Sequence, residues 1–151
     1  MKGKLTKLAL RAADAVLRSR SAKGDSADEP AHLARGRKGE EAAYFYLREH
    51  GYVIVARNFR SLRHRGEIDL IGWDGGILCF IEVKTRTGQT LVPAEMAVDG
   101  PKRSLLRATA RDYLHRVKGL PAIRFDVISV YFHYDRAVPE ITLFKNAFPM
   151  S

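Results

Sequence analysis

The sequence predicts an α/β domain with a mixed central sheet of about five strands flanked by helices, in the order αβββαββ. Apolar runs rich in β-branched and aromatic residues recur after residue 52, as in buried strands. Two stretches with apolar residues at helical spacing, each followed by a glycine, lie among them. Asp74-Gly75-Gly76 joins two of the apolar runs and is typical of a β-hairpin turn.

Residues 1–32 are predicted to form a basic extension ahead of the domain, which is expected to cover residues 33–148. Within residues 2–19, helical spacing relates Leu5, Leu8, Ala12 and Val16. Such a basic amphipathic helix would contact nucleic acid, a membrane surface or a partner, and a frayed extension is the alternative. Residues 19–30 are rich in Ser, Ala, Gly and Asp, which is typical of a flexible linker.

The first helix of the domain is predicted over Glu40–His50, with Gly51 as its C-terminal stop. Its packing side chains are expected to be Ala43, Phe45, Tyr46 and Leu47. A strand over Tyr52–Ala56 and the hairpin over Glu67–Lys84 follow, and then a loop over residues 85–92. A short helical turn is predicted over Pro93–Val98.

The second helix of the domain is predicted from Pro101 to about Lys118, because proline suits a first turn and Gly119 suits the end. Its apolar side is expected to contain Leu105, Ala108, Tyr113 and Leu114. Strands over Ile123–Phe132 and Glu140–Phe144 complete the chain.

Composition restricts the class of protein. A chain of 151 residues suffices for one domain with a sizeable core, and the net charge of +9 favours a polyanionic partner, most often nucleic acid. A basic surface without such a partner is the alternative. The single Cys79 excludes an internal disulfide and a cysteine metal cluster. The run Ile77–Ile81 is too short to span a bilayer, and charges interrupt any N-terminal signal sequence, so a cytoplasmic protein is expected.

Charged residues interrupt the most hydrophobic part of the chain, the hairpin. With Gly75 and Gly76 as a two-residue turn, Asp69 lies opposite Glu82, and Glu67 lies opposite Lys84. Alternation then predicts one apolar face made of Ile68, Leu70, Cys79, Ile81 and Val83. The other face carries the four charged residues together with Ile71 and Phe80.

Directly opposed like charges destabilise a sheet, so a facing Asp69 and Glu82 suit cation binding better than structure. The alternative is an ordinary Glu67–Lys84 ion pair beside two half-exposed acids. A three-residue loop would shift the register by one residue and separate the two faces, so this prediction depends on the turn.

An acidic residue on the first helix, an Asp on the second strand and Glu-x-Lys on the third resemble the restriction-endonuclease-like (PD-D/ExK) nucleases. Five ordered strings, at residues 39–43, 51–52, 57–58, 66–71 and 82–86, resemble the YraN-like family more closely, as do Lys102 and residues 124–128. That family of predicted endonucleases is distantly similar to archaeal Holliday-junction resolvases. The resemblance covers residues 33–144 and implies the nuclease core, with a helix on a central sheet beside the active hairpin. Ile68 stands where the family's pattern often has proline.

The resemblance implies a site for Mg²⁺ (or Mn²⁺). Asp69 and Glu82 are the expected ligands, Glu40 completes the site directly or through water, and the backbone carbonyl of Val83 is a further ligand. Lys84 would orient the attacking water and stabilise the charge on the phosphoryl group. Glu67 is expected to be a partner of Lys84, with direct metal binding as the alternative.

Basic side chains in the hairpin's surroundings are expected to contact nucleic acid. The stretch that enters the second strand contributes Arg57, Arg60, Arg63 and Arg65. Thr85 and Arg86 follow the third strand and suit a phosphate group, as does Lys102 at a helix start. Solvated surface charge is the alternative for Arg86 and Lys102. Asp126 resembles a structural residue of the family and is left out of catalysis.

Two classes of function fit these residues best. The first is a metal-dependent endonuclease that hydrolyses DNA phosphodiester bonds, with branched or damaged DNA as its substrate. The alternative is a non-catalytic or weakly catalytic nucleic-acid-binding module of nuclease fold. An adaptor that binds a partner through its N-terminal helix is a third reading. A homodimer is expected by resemblance to resolvases, which cut symmetric junctions in pairs.

Overall fold

The computed structural model describes residues 30–88 and 98–151. In these ranges the elements are α1 (Ala31–Glu49), β1 (Val53–Arg60), β2 (Glu67–Asp74), β3 (Ile77–Thr87), α2 (Gly100–Leu114), β4 (Ala122–Phe132) and β5 (Glu140–Phe148). The order αβββαββ confirms the predicted class. The predicted N-terminal helix lies outside the described residues, as do the linker and the turn over 93–98 except for their last residues. The predicted domain boundary at residue 33 stays a prediction.

The strands form one five-stranded sheet in the order β1-β2-β3-β4-β5. β3 and β4 pair in parallel and the other neighbours pair antiparallel, so the sheet is mixed as predicted. Parallel pairing requires a crossover, and α2 lies within it. Helix α2 packs Tyr113 against Phe80, whereas Gly39 of α1 meets Thr85. Because residues 80 and 85 of β3 have opposite parity, the two helices flank opposite faces of the sheet.

Helix α1 is longer than predicted and is rotated about its axis relative to the expected face. It begins at Ala31 rather than Glu40, and its buried residues are Gly39, Ala43, Tyr44 and Leu47. Phe45, predicted to pack, is 52% exposed, because the stripe at positions i, i+4, i+5 and i+8 excludes it. Gly51 ends the helix at φ +87°, as predicted.

Gly39 is where α1 touches the sheet. A Cβ atom there would collide with the Thr85 side chain, whereas one at Gly36 on the same helix would meet no atom within 4 Å among the described residues. We expect Gly39→Ala to lower the free energy of unfolding by about 1–3 kcal/mol. Gly36→Ala should instead raise it by up to about 1 kcal/mol, since alanine is the better helix former. Urea denaturation of both variants tests this, and equal effects would contradict the close approach.

The buried face of α2 is offset from the predicted one. Its buried residues are Leu106, Thr109 and Ala110, whereas Leu105 and Ala108 are only half-buried. Tyr113 packs its ring edgewise against Phe59 and Phe80, at centroid distances of 5.1 and 5.9 Å. These contacts connect the helix to β1 and β3.

Helix α2 has a capped start and an early end. The Asp99 side chain accepts a hydrogen bond of 2.9 Å from the Lys102 amide. The helix stops at Leu114 rather than Lys118, because Arg116 and Val117 donate their amides three residues back. Those shorter bonds tighten the chain out of the α-helix.

The outer strands are longer than predicted. β1 continues to Arg60, since it pairs with β2 as far as Glu67. β5 continues to Phe148 across a register shift against β4, where Asn146 has φ +54°. Phe148 then stacks on Phe125 at 4.7 Å between ring centroids.

The hairpin turn is as predicted, but its ladder is shorter. Pairing runs from Asp74 with Ile77 to Leu70 with Ile81, as the Gly75–Gly76 turn requires, and it ends there. Beyond it the Asp69 side chain, rather than a backbone carbonyl, accepts the Val83 amide at 2.7 Å. The placement of Ile68 on the face of Leu70 was wrong, because Ile68 lies in the core cluster with Ile71 and Phe80. Strict alternation therefore fails where the ladder ends.

Candidate active site

Glu82 is the most buried carboxylate of the predicted site. It lies on β3 with 5% of its surface exposed. Its Oε1 accepts from Lys84 Nζ at 2.9 Å and lies 3.3 Å from Lys102 Nζ. Its Oε2 is buried and accepts no hydrogen bond from residues 30–88 or 98–151. Oε1 is thus compensated by two ammonium groups, whereas the buried Oε2 has no positively charged partner among the described residues.

Asp69 lies beside Glu82 at the point where β2 and β3 separate. Burial, and next the charge of Glu82, raises the pKa of Asp69 from 3.8 to about 8. The Val83 amide and Lys102 act in the opposite direction, and Glu40 adds to the increase. Acidic residues from two other elements thus contribute to the raised pKa of Asp69.

Glu40 comes from α1, and its Oε2 accepts from Asn58 Nδ2 at 2.9 Å. Asn58 lies on β1 at φ +48°, a conformation that asparagine tolerates better than most residues. Residues 57–58 belong to the family resemblance, but no role was predicted for Asn58. Asparagine is uncommon inside strands, and its presence in β1 was the signal for an irregular backbone conformation at that position.

The predicted metal site is only partly assembled. The described portion of the chain contains no group of three or more His, Cys, Asp or Glu side chains arranged to hold a metal ion. Asp69 and Glu82 nevertheless offer carboxylate oxygens that could bind a cation, and Mg²⁺ needs few protein ligands because it retains several waters. A cation would provide Glu82 Oε2 with a positive partner. It would also offset the burial and the repulsion by Glu82 that together raise the pKa of Asp69. The residues therefore fit a hard divalent cation.

Two lysines converge on one oxygen of Glu82. Lys84 was predicted on that face, whereas Lys102 was predicted only as a phosphate contact at a helix start. The first turn of α2, capped by Asp99, brings Lys102 across to β3. The site thus combines two carboxylates with two ammonium groups, and only the fold reveals the second of them.

Glu67 does not contact Lys84, contrary to the prediction. Arg60 Nε donates to Glu67 Oε2 at 2.9 Å, and Lys84 binds Glu82 instead. The reason is the register, since Arg60 and Glu67 are partners in the β1–β2 ladder, and the β2–β3 ladder ends before Glu67. Val83, predicted to offer its carbonyl, is seen donating its amide to Asp69.

The predicted nucleic-acid contacts separate into three groups. Arg57 lies over the Tyr44 ring at 4.9 Å and Thr85 packs on Gly39, so these two side chains take part in packing. Lys102 approaches Glu82, and the four remaining arginines lie on the surface. Arg65 and Arg86 are exposed, Arg60 pairs with Glu67, and Arg63 lies 3.9 Å from Asp112.

Asp126, predicted to be structural, anchors a separate buried cluster. Its Oδ1 accepts from Arg124 Nε at 2.7 Å, and its Oδ2 accepts from Arg124 Nη2 at 2.8 Å. The Asn146 amide and the Tyr52 hydroxyl add bonds of 2.9 and 3.2 Å. Both oxygens are compensated, unlike those of Glu82, so this cluster is not a candidate for cation binding.

The chain is similar to known proteins over most of its length. The Uncharacterised protein family UPF0102 matches residues 39–130. A UPF0102 protein of Koribacter versatilis (strain Ellin345) is 54% identical over 146 residues, which cover 97% of this chain and 96% of that protein. A UPF0102 protein of Solibacter usitatus (strain Ellin6076) is 49% identical over 114 residues, covering 75% and 84%. None of the helices described here is long and apolar enough to cross a membrane. The chain belongs to the UPF0102 family.

Proposed function

We propose that this protein is a magnesium-dependent endonuclease of the restriction-endonuclease-like (PD-D/ExK) superfamily that hydrolyses DNA phosphodiester bonds. Branched or damaged DNA is its proposed substrate. The observation that carries the proposal is the pair formed by the buried Glu82 and the half-buried Asp69, beside Lys84 and Lys102, with Glu82 Oε2 left unpartnered among the described residues. The resemblance to the YraN-like family supports it.

The stability of the fold does not explain why two acidic residues and two lysines are grouped at this site. Burying a carboxylate costs several kcal/mol unless it is fully paired, and well-packed apolar residues often serve stability as well or better. Here the paired oxygens are Glu82 Oε1 and Asp69 Oδ2, and a raised pKa at Asp69 shows that the compensation is incomplete. Such perturbed groups concentrate at functional sites.

The residues divide the work of phosphodiester hydrolysis among them. Asp69 and Glu82, with Glu40 through water, would hold Mg²⁺, which neutralises phosphoryl charge as a Lewis acid when it is bound. Lys84 orients the attacking water. Lys84 and Lys102 donate hydrogen bonds to the phosphate oxygens, where negative charge grows in the transition state.

The surface around the site suits a polyanion. The net charge is +9, and the exposed Arg65 and Arg86 can reach phosphates without leaving a partner in the described regions. Arg60 is the last residue of β1 and pairs with Glu67, and Arg63 lies in the loop that follows β1 and pairs with Asp112. Cutting a symmetric junction needs two sites, so a homodimer is part of the proposal.

The test is cleavage of duplex, single-stranded, flap and four-way DNA with Mg²⁺ or Mn²⁺. We expect Asp69→Asn and Glu82→Gln to lose at least about 100-fold in cleavage rate while DNA binding survives. Glu140→Gln removes a carboxylate that is paired with His133 on the surface, and it should cleave like the unchanged protein. If calorimetry detects no metal binding and none of the substrates is cleaved, the proposed endonuclease function is wrong.

A non-catalytic DNA-binding module is the second candidate. It is favoured by the two lysines on Glu82 Oε1, because they partly neutralise that carboxylate without a metal. In that case DNA binding should be indifferent to Mg²⁺ and to Asp69→Asn, with no cleavage on any substrate.

A further inference from the structure

The loop between β1 and β2, residues 61–66, is held by its own hydrogen bonds. The Ser61 amide donates to the Gly66 carbonyl at 3.0 Å, and the Arg63 amide donates to Ser61 Oγ at 3.0 Å. Ser61 Oγ also donates to Asp112 of α2, and His64 Nε2 lies 3.3 Å from the same carboxylate oxygen. The loop therefore has a defined shape, and its base is bonded to α2.

This loop presents one apolar side chain to water. Leu62 is 91% exposed, and Arg63 and Arg65 on either side of His64 are exposed as well. A lone exposed leucine is ordinary on a protein surface. An apolar side chain close to exposed arginines on a hydrogen-bonded loop is, in contrast, suited to act as a wedge between stacked bases.

A cavity of about 220 Å³ lies behind this leucine. It is lined by Phe59, Leu62, Arg63, Asp112, His115 and Arg116. The Arg116 guanidinium carbon lies 5.0 Å from the centroid of the Phe59 ring, so a planar cation and an aromatic ring meet at its wall. Flat apolar surface, cationic donors and one carboxylate acceptor are thus gathered in one place.

This combination suits a nucleobase better than a bare phosphate. Hydrogen bonding from Ser61 and the charge of Arg63 hold the pKa of Asp112 below its usual range, so its carboxylate is ionised at neutral pH and repels an anion. A base carries amino and imino donors for such an acceptor and a π face for stacking on arginine or an aromatic ring. Phosphates have neither.

We propose that Leu62 and this cavity form a site for one unstacked nucleobase, with Leu62 as the wedge that keeps it out of the helix. The inference rests on the proposed nucleic-acid function and gives it a preference for distorted DNA. Lys102 and Asp112 lie on the same helix, about 15 Å apart along its axis at 1.5 Å per residue. That separation is roughly four steps along a DNA strand, so one substrate can reach both sites.

The test is binding of full-length protein, without divalent metal, to DNA that carries the fluorescent adenine analogue aminopurine as a single unpaired base. We expect bound aminopurine to brighten on unstacking, and the bulged duplex to bind about tenfold more tightly than the perfect duplex. Leu62→Ala should lose most of the brightening and of this preference. The matched control is Leu120→Ala, an equally exposed leucine before β4 at the far end of the sheet, and it should lose neither.

The outcomes separate this inference from the proposed enzyme. Full brightening and preference in Leu62→Ala overturn the wedge, and cleavage that still depends on Asp69 then leaves the endonuclease standing. Brightening that Leu62→Ala abolishes supports the base site even when no substrate is cut. Absence of binding to either DNA overturns the base site.

Discussion

Asp126→Ala is expected to lower the free energy of unfolding by about 3–5 kcal/mol, because it leaves a buried cation without its main partner. The Asp126 side chain is fully buried and accepts two hydrogen bonds from the guanidinium of Arg124, whose own side chain is 13% exposed. The same change removes the acceptor of the Asn146 amide, where β4 and β5 shift register. Urea denaturation measures the loss.

Asp74→Ala is the matched comparison. Asp74 also binds Arg124, at 2.8 Å, but its side chain is 27% exposed and its other partner is the surface Lys145. Its loss should therefore cost no more than about 1 kcal/mol. Replacing the pair together, as Arg124→Met with Asp126→Leu, should recover most of the stability. Equal losses for Asp74→Ala and Asp126→Ala would contradict the buried network.

The second large effect is a fall in stability as pH rises, which Asp69→Asn should abolish. The pKa of Asp69 is about 8 in the folded protein, against 3.8 for an ordinary aspartate. The folded state therefore binds one proton more than the unfolded state between these values, and the free energy of unfolding decreases as pH rises from about 4 to about 8. Each pKa unit corresponds to about 1.4 kcal/mol, so the loss amounts to several kcal/mol.

Urea denaturation of metal-free protein across pH 4 to 9 tests this expectation. The difference between the unchanged protein and Asp69→Asn should widen from about pH 4 to about pH 8 and then level off. Asp74→Asn is the control, because Lys145 and Arg124 hold the pKa of Asp74 below its usual range, and its difference from the unchanged protein should stay nearly constant from pH 4 to 9. Its contribution is lost only as pH falls through that lowered pKa. Parallel pH profiles for the unchanged protein and Asp69→Asn would show that Asp69 titrates normally.

Asp69 and Asp126 both accept a hydrogen bond from a backbone amide, but their surroundings differ. Each accepts a strand amide where regular pairing is interrupted, Asp69 from Val83 and Asp126 from Asn146. A guanidinium then compensates Asp126, whereas Asp69 faces a second acid, Glu82. The first arrangement stabilises the fold, whereas the second leaves the acidic pair only partly compensated.

Local patterns were enough for much of the fold. The Gly75–Gly76 turn and its register follow from two glycines, since a tight turn determines which residues pair next to it. Gly51 ends α1 for an equally local reason. The lengths of β1 and β5 were underestimated, because pairing with neighbours extends a strand beyond its apolar core.

The order of elements, the hairpin turn and the grouping of Asp69, Glu82 and Lys84 on neighbouring strands could all be predicted from the amino acids alone. Three further features are visible only in the folded protein: Lys102 joins this group, Glu67 pairs with Arg60, and the β2–β3 ladder ends before Asp69. Turns and periodicity depend on neighbours in the chain, which the sequence shows directly. Partners brought together from separate elements depend on how helices and strands pack, and on where buried charge finds compensation.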